Sequence, residues 1–294
     1  MSTQALHAAS RHRRRLAAVS LSLVLAGFAA AGNACAAVEQ ARVDIIDGRK
    51  VESVTIRSAA SKNVVVFESG LRGTLDQWDK VLEAVSPDAS VFAYNRAGYV
   101  NSEAIEGRRD GATIVRQLRQ VLRHKGLTPP YVLVGHSLGA LYMQQFARMH
   151  PEEVAGIVLV DGILPRMVKK PEAFPFTTRL AKRVLLSNTV SREVDSIHET
   201  GEQVLALPGI DHKPMVRLIN VPKSSTAIPV DFGAFNREPG NVAFFRGLYP
   251  NATTIMVDSD HQMHSANPEA VVKAIRQVIE RYEGDKARAK PGAP

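Results

Sequence analysis

One pentapeptide carries the clearest chemistry in the 294-residue sequence, Gly135-His136-Ser137-Leu138-Gly139. An apolar run, Tyr131–Val134, precedes it. After it, Leu138, Leu141, Tyr142, Phe146 and Met149 recur on one side of a helix over Leu138–Met149. A serine at such a strand-to-helix junction sits on a sharp turn, its hydroxyl thrust outwards. Gly135 and Gly139 remove side chains that would collide where the two elements cross. The N-terminal end of the helix favours negative charge developing beside it. G-x-S-x-G spacing also arises by chance in a chain with 20 glycines, so the flanking strand and helix carry the reading. A serine hydroxyl alone is a weak nucleophile and needs a base, itself oriented by an acid. His261, His264 and His198 are the candidates for that base, and His136 is expected to pack or hydrogen-bond beneath the serine turn.

The elements that must position these groups follow from the pattern of apolar residues. Val43–Ile46 and Val51–Ile56 flank Asp47-Gly48, which predicts a hairpin. Val64–Phe67, Val91–Tyr94 and Ile157–Val160 read as buried strands, and Asp76–Val85 as a short helix stopped by Pro87. Over Ala112–His124, Ile114, Val115, Leu118, Val121 and Leu122 share one helical face. From Gly162 to Thr226 the sequence turns polar and proline-dotted and reads as a cap or lid insertion, residues 162–226. Alternation then resumes with strands at Ile228–Phe232 and Thr253–Val257 and a helix at Pro268–Tyr282, followed by a loose tail, residues 285–294. Strands alternating with helices predict a mostly parallel sheet covered on both faces.

On these segments the chain resembles the α/β-hydrolase superfamily, over nearly all of residues 37–284. Val64-Val-Val-Phe-Glu68-Ser69-Gly70-Leu71 looks like the strand and loop that supply half of an oxyanion hole, with Trp78 following. Ala93-Tyr94-Asn95-Arg96-Ala97-Gly98-Tyr99 resembles the family's DRAGYG turn, with Asn95 in place of the usual acid. Gly135–Gly139 is similar to its nucleophile elbow, Gly156–Gly162 to its next strand, and Asp260–Glu269 to its catalytic-histidine loop. The resemblance implies an α/β fold with a mostly parallel central sheet, helices on both faces and a cap. It implies Ser137 as nucleophile, and His261, seven positions before Pro268, as base. The acid stays open. Asp161, after the strand preceding the cap, stands first, as in some members; Glu238 comes next and Asp231 third. The N–H groups of Leu71 and Leu138 are the implied oxyanion donors. With a serine at the elbow, the resemblance points to cleavage of a carboxylic-ester-type bond through an acyl-enzyme. Alternatives are amide, thioester or carbon–carbon cleavage, cofactor-free perhydrolysis, or a non-catalytic ligand binder. Dehalogenases and epoxide hydrolases of this fold use an aspartate nucleophile, so Ser137 disfavours both.

Composition bounds the partners. The chain carries 37 Lys and Arg against 29 Asp and Glu, a formal charge of +8. Arg11, Arg13, Arg14 and Arg15 supply half of that excess, and the remaining basic residues are scattered among acids, which argues against a nucleic-acid partner. The basic stretch, the uncharged run Leu16–Ala31 and Ala34-Cys35-Ala36 read as a cleaved export signal, residues 1–36. A periplasmic or secreted protein without stable membrane insertion is the expectation. Cys35 is the only cysteine, so neither a thiol nucleophile nor a disulfide is expected after cleavage. No metal-ligand spacing or cofactor motif is read. The expected partner is a small acyl substrate, and the sequence leaves the oligomeric state open.

Overall fold

The computed structural model describes residues 40–59, 62–174, 184–221 and 232–289, all within the unit Val38–Pro294. The export signal read at residues 1–36 lies outside the described residues. Eight strands form one sheet: β1 (Arg42–Ile46), β2 (Arg49–Ile56), β3 (Val64–Glu68), β4 (Ser90–Tyr94), β5 (Tyr131–His136), β6 (Val154–Val160), β7 (Met215–Asn220) and β8 (Thr253–Val257). Their order across the sheet is β1-β2-β4-β3-β5-β6-β7-β8. The β1–β2 and β2–β4 pairs are antiparallel and all other pairs are parallel. The first hairpin turns at Asp47 and Gly48, both with positive φ (49° and 78°), the conformation a two-residue turn needs to match strand twist.

Successive side chains of a strand point to opposite faces, so a strand buried on both sides must be apolar throughout. In β3, Val65 and Phe67 join one core cluster and Val64 and Val66 the other. Helices α1 (Asp79–Val85) and α8 (Pro268–Ala289) cover the first face, and α2 (Gly111–His124) and α3 (Leu138–Met149) the second. The Asp110 side chain caps α2 by accepting from the Thr113 N–H at 2.8 Å. The cap helix α4 (Asn188–Ala206) packs across α2 and α3. Short helices α5 (Phe232–Arg237), α6 (Pro239–Leu248) and α7 (Met263–Ala266) complete the second half. Among the described residues, no helix is long and apolar enough to cross a membrane.

Three boundaries differ from the sequence expectation. Strand β7 lies inside the segment read as cap, which therefore ends at residue 214 rather than 226. Arg217 breaks the apolar run of Met215-Val216-Arg217-Leu218-Ile219, yet it is buried in the sheet beside Leu159 of β6. The strand read at Ile228–Phe232 falls largely outside the described residues, and Phe232 opens helix α5. The tail read as loose from residue 285 is helical to Ala289. Arg288 there donates to Asp285 at 2.6 Å, one turn back, and residues 290–294 lie outside the described residues.

Candidate active site

Ser137 stands between β5 and α3 with φ 51° and ψ −117°, a conformation that costs a non-glycine residue about 1–3 kcal/mol. Tight packing holds it there. Its N–H donates to the Val160 carbonyl at 3.1 Å, and its own carbonyl accepts from Ala140 and Ile163 at 3.1 and 3.0 Å. A Cβ on Gly139 would lie 2.2 Å from the Glu68 carbonyl oxygen, and one on Gly135 2.6 Å from Ala140 Cα. Only glycine lets α3 start this close to β3 and β5. Ser137 opens onto a cavity of about 910 Å³, whose wall also includes Leu71, Leu138, Asp161 and His261.

His261 comes from the loop after β8. Its Nδ1 lies 2.6 Å from Asp161 Oδ2, a donor–acceptor distance for a charge-assisted bond. That contact assigns the Nδ1 proton, which makes Nε2 the acceptor nitrogen of the ring. Asp161 follows β6 in a left-handed conformation, φ 43°, with a fully buried side chain. Its N–H donates to the Leu218 carbonyl at 2.9 Å, which ties the turn to β7. The other carboxylate oxygen, Oδ1, accepts from the Asn220 N–H at 3.4 Å and Asn236 Nδ2 at 3.3 Å.

Of the three carboxylates weighed as the acid, the structure brings Asp161 to the imidazole. Glu238 is exposed at the start of α6, where Asn241 donates to it, and Asp231 lies outside the described residues. The strand after the cap, where the resembled family often carries its acid, ends instead on Asn220. The other histidines are also sorted by position. His198, on α4, uses Nδ1 to donate to the Val168 carbonyl at 3.2 Å. His136 donates from Nε2 to the His261 carbonyl at 2.8 Å, packing beneath the serine turn as expected. His264 is fully buried behind it, with neither ring nitrogen partnered among the described residues. Tilted rings pack in a file: His261 against His136 at 4.6 Å, His136 against His264 at 4.5 Å, and His264 against Trp78 at 4.6 Å. Burial, then the neighbouring imidazoles, push His136 well below the usual histidine range and His264 down to about 4. Both rings are therefore neutral near pH 7.

A buried ionic network that sequence reasoning missed anchors the Leu71 loop. Arg96 donates to the Ser69 and Gly70 carbonyls at 2.6 and 2.8 Å and to Glu68 at 2.6 Å. Its other face meets Glu193 of α4 at 3.1 Å, and Arg109 meets the same carboxylate at 2.5 Å. Burial opposes charge on Glu193, but Arg96 and Arg109 outweigh it and hold its pKa below the ordinary value. Glu68 is pushed up by burial, which Arg96 and Tyr94 only partly offset. The available signal was a carboxylate at 193 on the helical stripe of Val190, Ile197 and Val204. Among the described residues, possible metal ligands converge at His150, Glu152 and Glu153, beyond the end of α3, where Arg119 already pairs with Glu153.

A family model described as alpha/beta hydrolase fold matches residues 63–265. YqjL of Bacillus subtilis, an uncharacterized protein, is 29% identical over 108 residues, covering 37% of this chain and 43% of YqjL. The chain spans less than half the length of the curated relatives it matches. Among solved structures, a thermophilic esterase from Thermogutta terrifontis aligns with a TM-score of 0.61 at 18% identity, covering 83% of this chain and 99% of that one. Cfl2 from Burkholderia cenocepacia aligns with a TM-score of 0.60 at 18% identity, covering 81% of this chain and 94% of that one. At such identities the likeness speaks for the fold.

Proposed function

Because the chain belongs to the alpha/beta hydrolase fold family, we propose that it is an exported serine hydrolase that cleaves a carboxylic-ester-type bond through an acyl-enzyme. The observation that carries this reading is the 2.6 Å contact between His261 Nδ1 and Asp161, in the wall of the cavity that Ser137 shares. Ser137 Oγ adds to the ester carbonyl carbon while His261 Nε2 accepts its proton. The carbonyl oxygen becomes an oxyanion, stabilised by the N–H groups of Leu71 and Leu138. As the first residue of α3, Leu138 has no carbonyl four places back within the helix to bond. Collapse expels the alcohol, which takes the proton from His261. Water repeats the sequence on the acyl group and frees the acid and Ser137. Asp161 accepts from Nδ1 and orients the imidazole throughout. Leu71, Ile163, Met167, Val168 and Ile197 give the cavity an apolar wall, which favours an aliphatic acyl group. Export rests on the basic and apolar pattern of residues 1–36, and the first residue of the mature protein tests it.

Purified protein and its Ser137→Ala variant, assayed on p-nitrophenyl esters of graded chain length, test the chemistry. The variant is expected to lose on the order of 10⁴ in turnover. It should also lose labelling by a fluorophosphonate probe. Near-parental turnover in Ser137→Ala would end this reading.

A further inference from the structure

A buried guanidinium inside a parallel sheet is expensive, and Arg217 is one. Only 1% of it is exposed, in β7, where an aliphatic side chain would fill the space. Its cost is offset in two ways. The guanidinium lies over the Phe245 ring at 4.2 Å, and Nη2 donates to Asn236 Oδ1 at 2.6 Å. That second contact fixes the Asn236 amide. With its oxygen held by a cation, the amide must present its NH₂ group to the opposite side. There Nδ2 donates to Asp161 Oδ1 at 3.3 Å, while the other oxygen of the same carboxylate meets His261 Nδ1 at 2.6 Å. Asn236 is itself 2% exposed, so water does not compete for either end.

We propose that Arg217 and Asn236 are positioning residues for the His261 base, a chain of cation, amide and carboxylate that fixes the rotamer of Asp161 and tempers its negative charge. This rests on the serine-hydrolase reading above. A buried carboxylate with a single partner is free to turn and exerts its full field on the imidazole. Here Asp161 is held at both oxygens, and a positive charge stands two hydrogen bonds away. Burial brings Arg217 down to about 10, partly countered by Asp161, so it remains charged at neutral pH. The other charged or titratable groups around His261 are Asp260 on its own loop, His136 from β5 and His264 from α7, while Arg237 of α5 bonds the Asn220 carbonyl. The two neighbouring histidines are neutral near pH 7, which leaves two cations on the Asp161 side, Arg237 on the Asn220 carbonyl and Arg217, whose partner Asn236 itself donates to Asp161.

The sign of the effect is testable. Removing the Arg217 charge favours the imidazolium, so the acid limb of kcat/KM against pH moves to higher pH. Arg217→Met and Asn236→Leu, assayed on a p-nitrophenyl ester, are expected to shift that limb upwards by roughly half a unit to one unit. Arg217→Lys, which keeps the charge, should leave it near the parental position. The double variant Arg217→Met/Asn236→Leu leaves neither partner orphaned, and the same shift is expected of it if a single variant fails to fold. Unmoved limbs in folded variants, whatever their kcat, would overturn the assignment, because a merely structural role lowers turnover without moving the limb. Asp161→Asn and Ser137→Ala separate the two levels. If both retain parental activity, the serine-hydrolase reading fails. If both are impaired while the relay variants keep the parental limb, the relay alone fails.

Discussion

Asn95 uses both ends of its amide. Oδ1 accepts from the Leu75 N–H at 2.9 Å, and Nδ2 donates to Glu52 Oε2 at 2.7 Å, with both side chains buried. The carboxylate missing from the turn is thus supplied by β2, and an aspartate at 95 would face it. Asn95→Asp is expected to cost about 2 kcal/mol or more, since one of two apposed carboxylates must take up a proton. The loss should deepen as pH rises and that proton becomes harder to hold. Thermal unfolding at pH 5 and pH 8 checks this; equal melting temperatures for parent and variant at both would refute it. Ser137 was legible from its strand–turn–helix setting, and His261 from the resemblance of Asp260–Glu269 to a family's histidine loop. Asp161 was legible only as one of three carboxylates. Choosing among them takes the register of β6 and β7, which brings its turn beside the loop after β8. The partners of Asp161, Asn236 and Arg217, were not legible at all, since their role exists only through the hydrogen bonds they share.

At the level of elements, α4 and β7 are two of those that sequence periodicity did not resolve. Both have a charged residue on the buried side. In α4 the buried stripe runs Val190, Glu193, Ile197, Thr200, Gly201, Val204, half of it not apolar, so the helical signal is weak. In β7 a single arginine interrupts an otherwise aliphatic strand. Hydrophobic periodicity finds elements held by apolar burial, such as α2 and β3, and passes over those with a charge on the buried side. The attachment of α4 follows from its chemistry. Glu193→Ala leaves Arg96 and Arg109 buried without their shared carboxylate, an imbalance worth about 3–5 kcal/mol. Chemical denaturation should register that loss, and hydrogen exchange should show faster opening of residues 188–206. Because Arg96 also grips the Ser69 and Gly70 carbonyls, ester turnover should fall as well. Unchanged exchange in α4 would mean that apolar contacts alone hold it.

Across the whole molecule, two buried histidines make stability depend on acid. His264 takes a proton near pH 6.5 when unfolded but only at about 4 when folded. Between those values the unfolded chain binds more protons, so stability is full above the upper value and drains as pH falls towards the lower one. A gap of that size corresponds to about 3 kcal/mol. His136, shifted in the same direction, adds to the slope. His264→Phe keeps a ring in the file without the titration, and its unfolding free energy should fall less steeply from pH 7 to pH 4. Parallel slopes for parent and variant would remove His264 from the explanation.

The ring file ends on Trp78, the only tryptophan in the chain, fully buried with its indole N–H donated to Ser69 at 3.0 Å. A protonated imidazole in van der Waals contact drains the excited state of an indole, whereas a neutral one does so far less. Ultraviolet emission at a single wavelength therefore reads out the charge of His264 two rings behind His261, with no dye attached. Dimming on acidification in the parent, absent from His264→Phe, would turn an otherwise silent aromatic into a native gauge of the tunnel of rings beneath the serine.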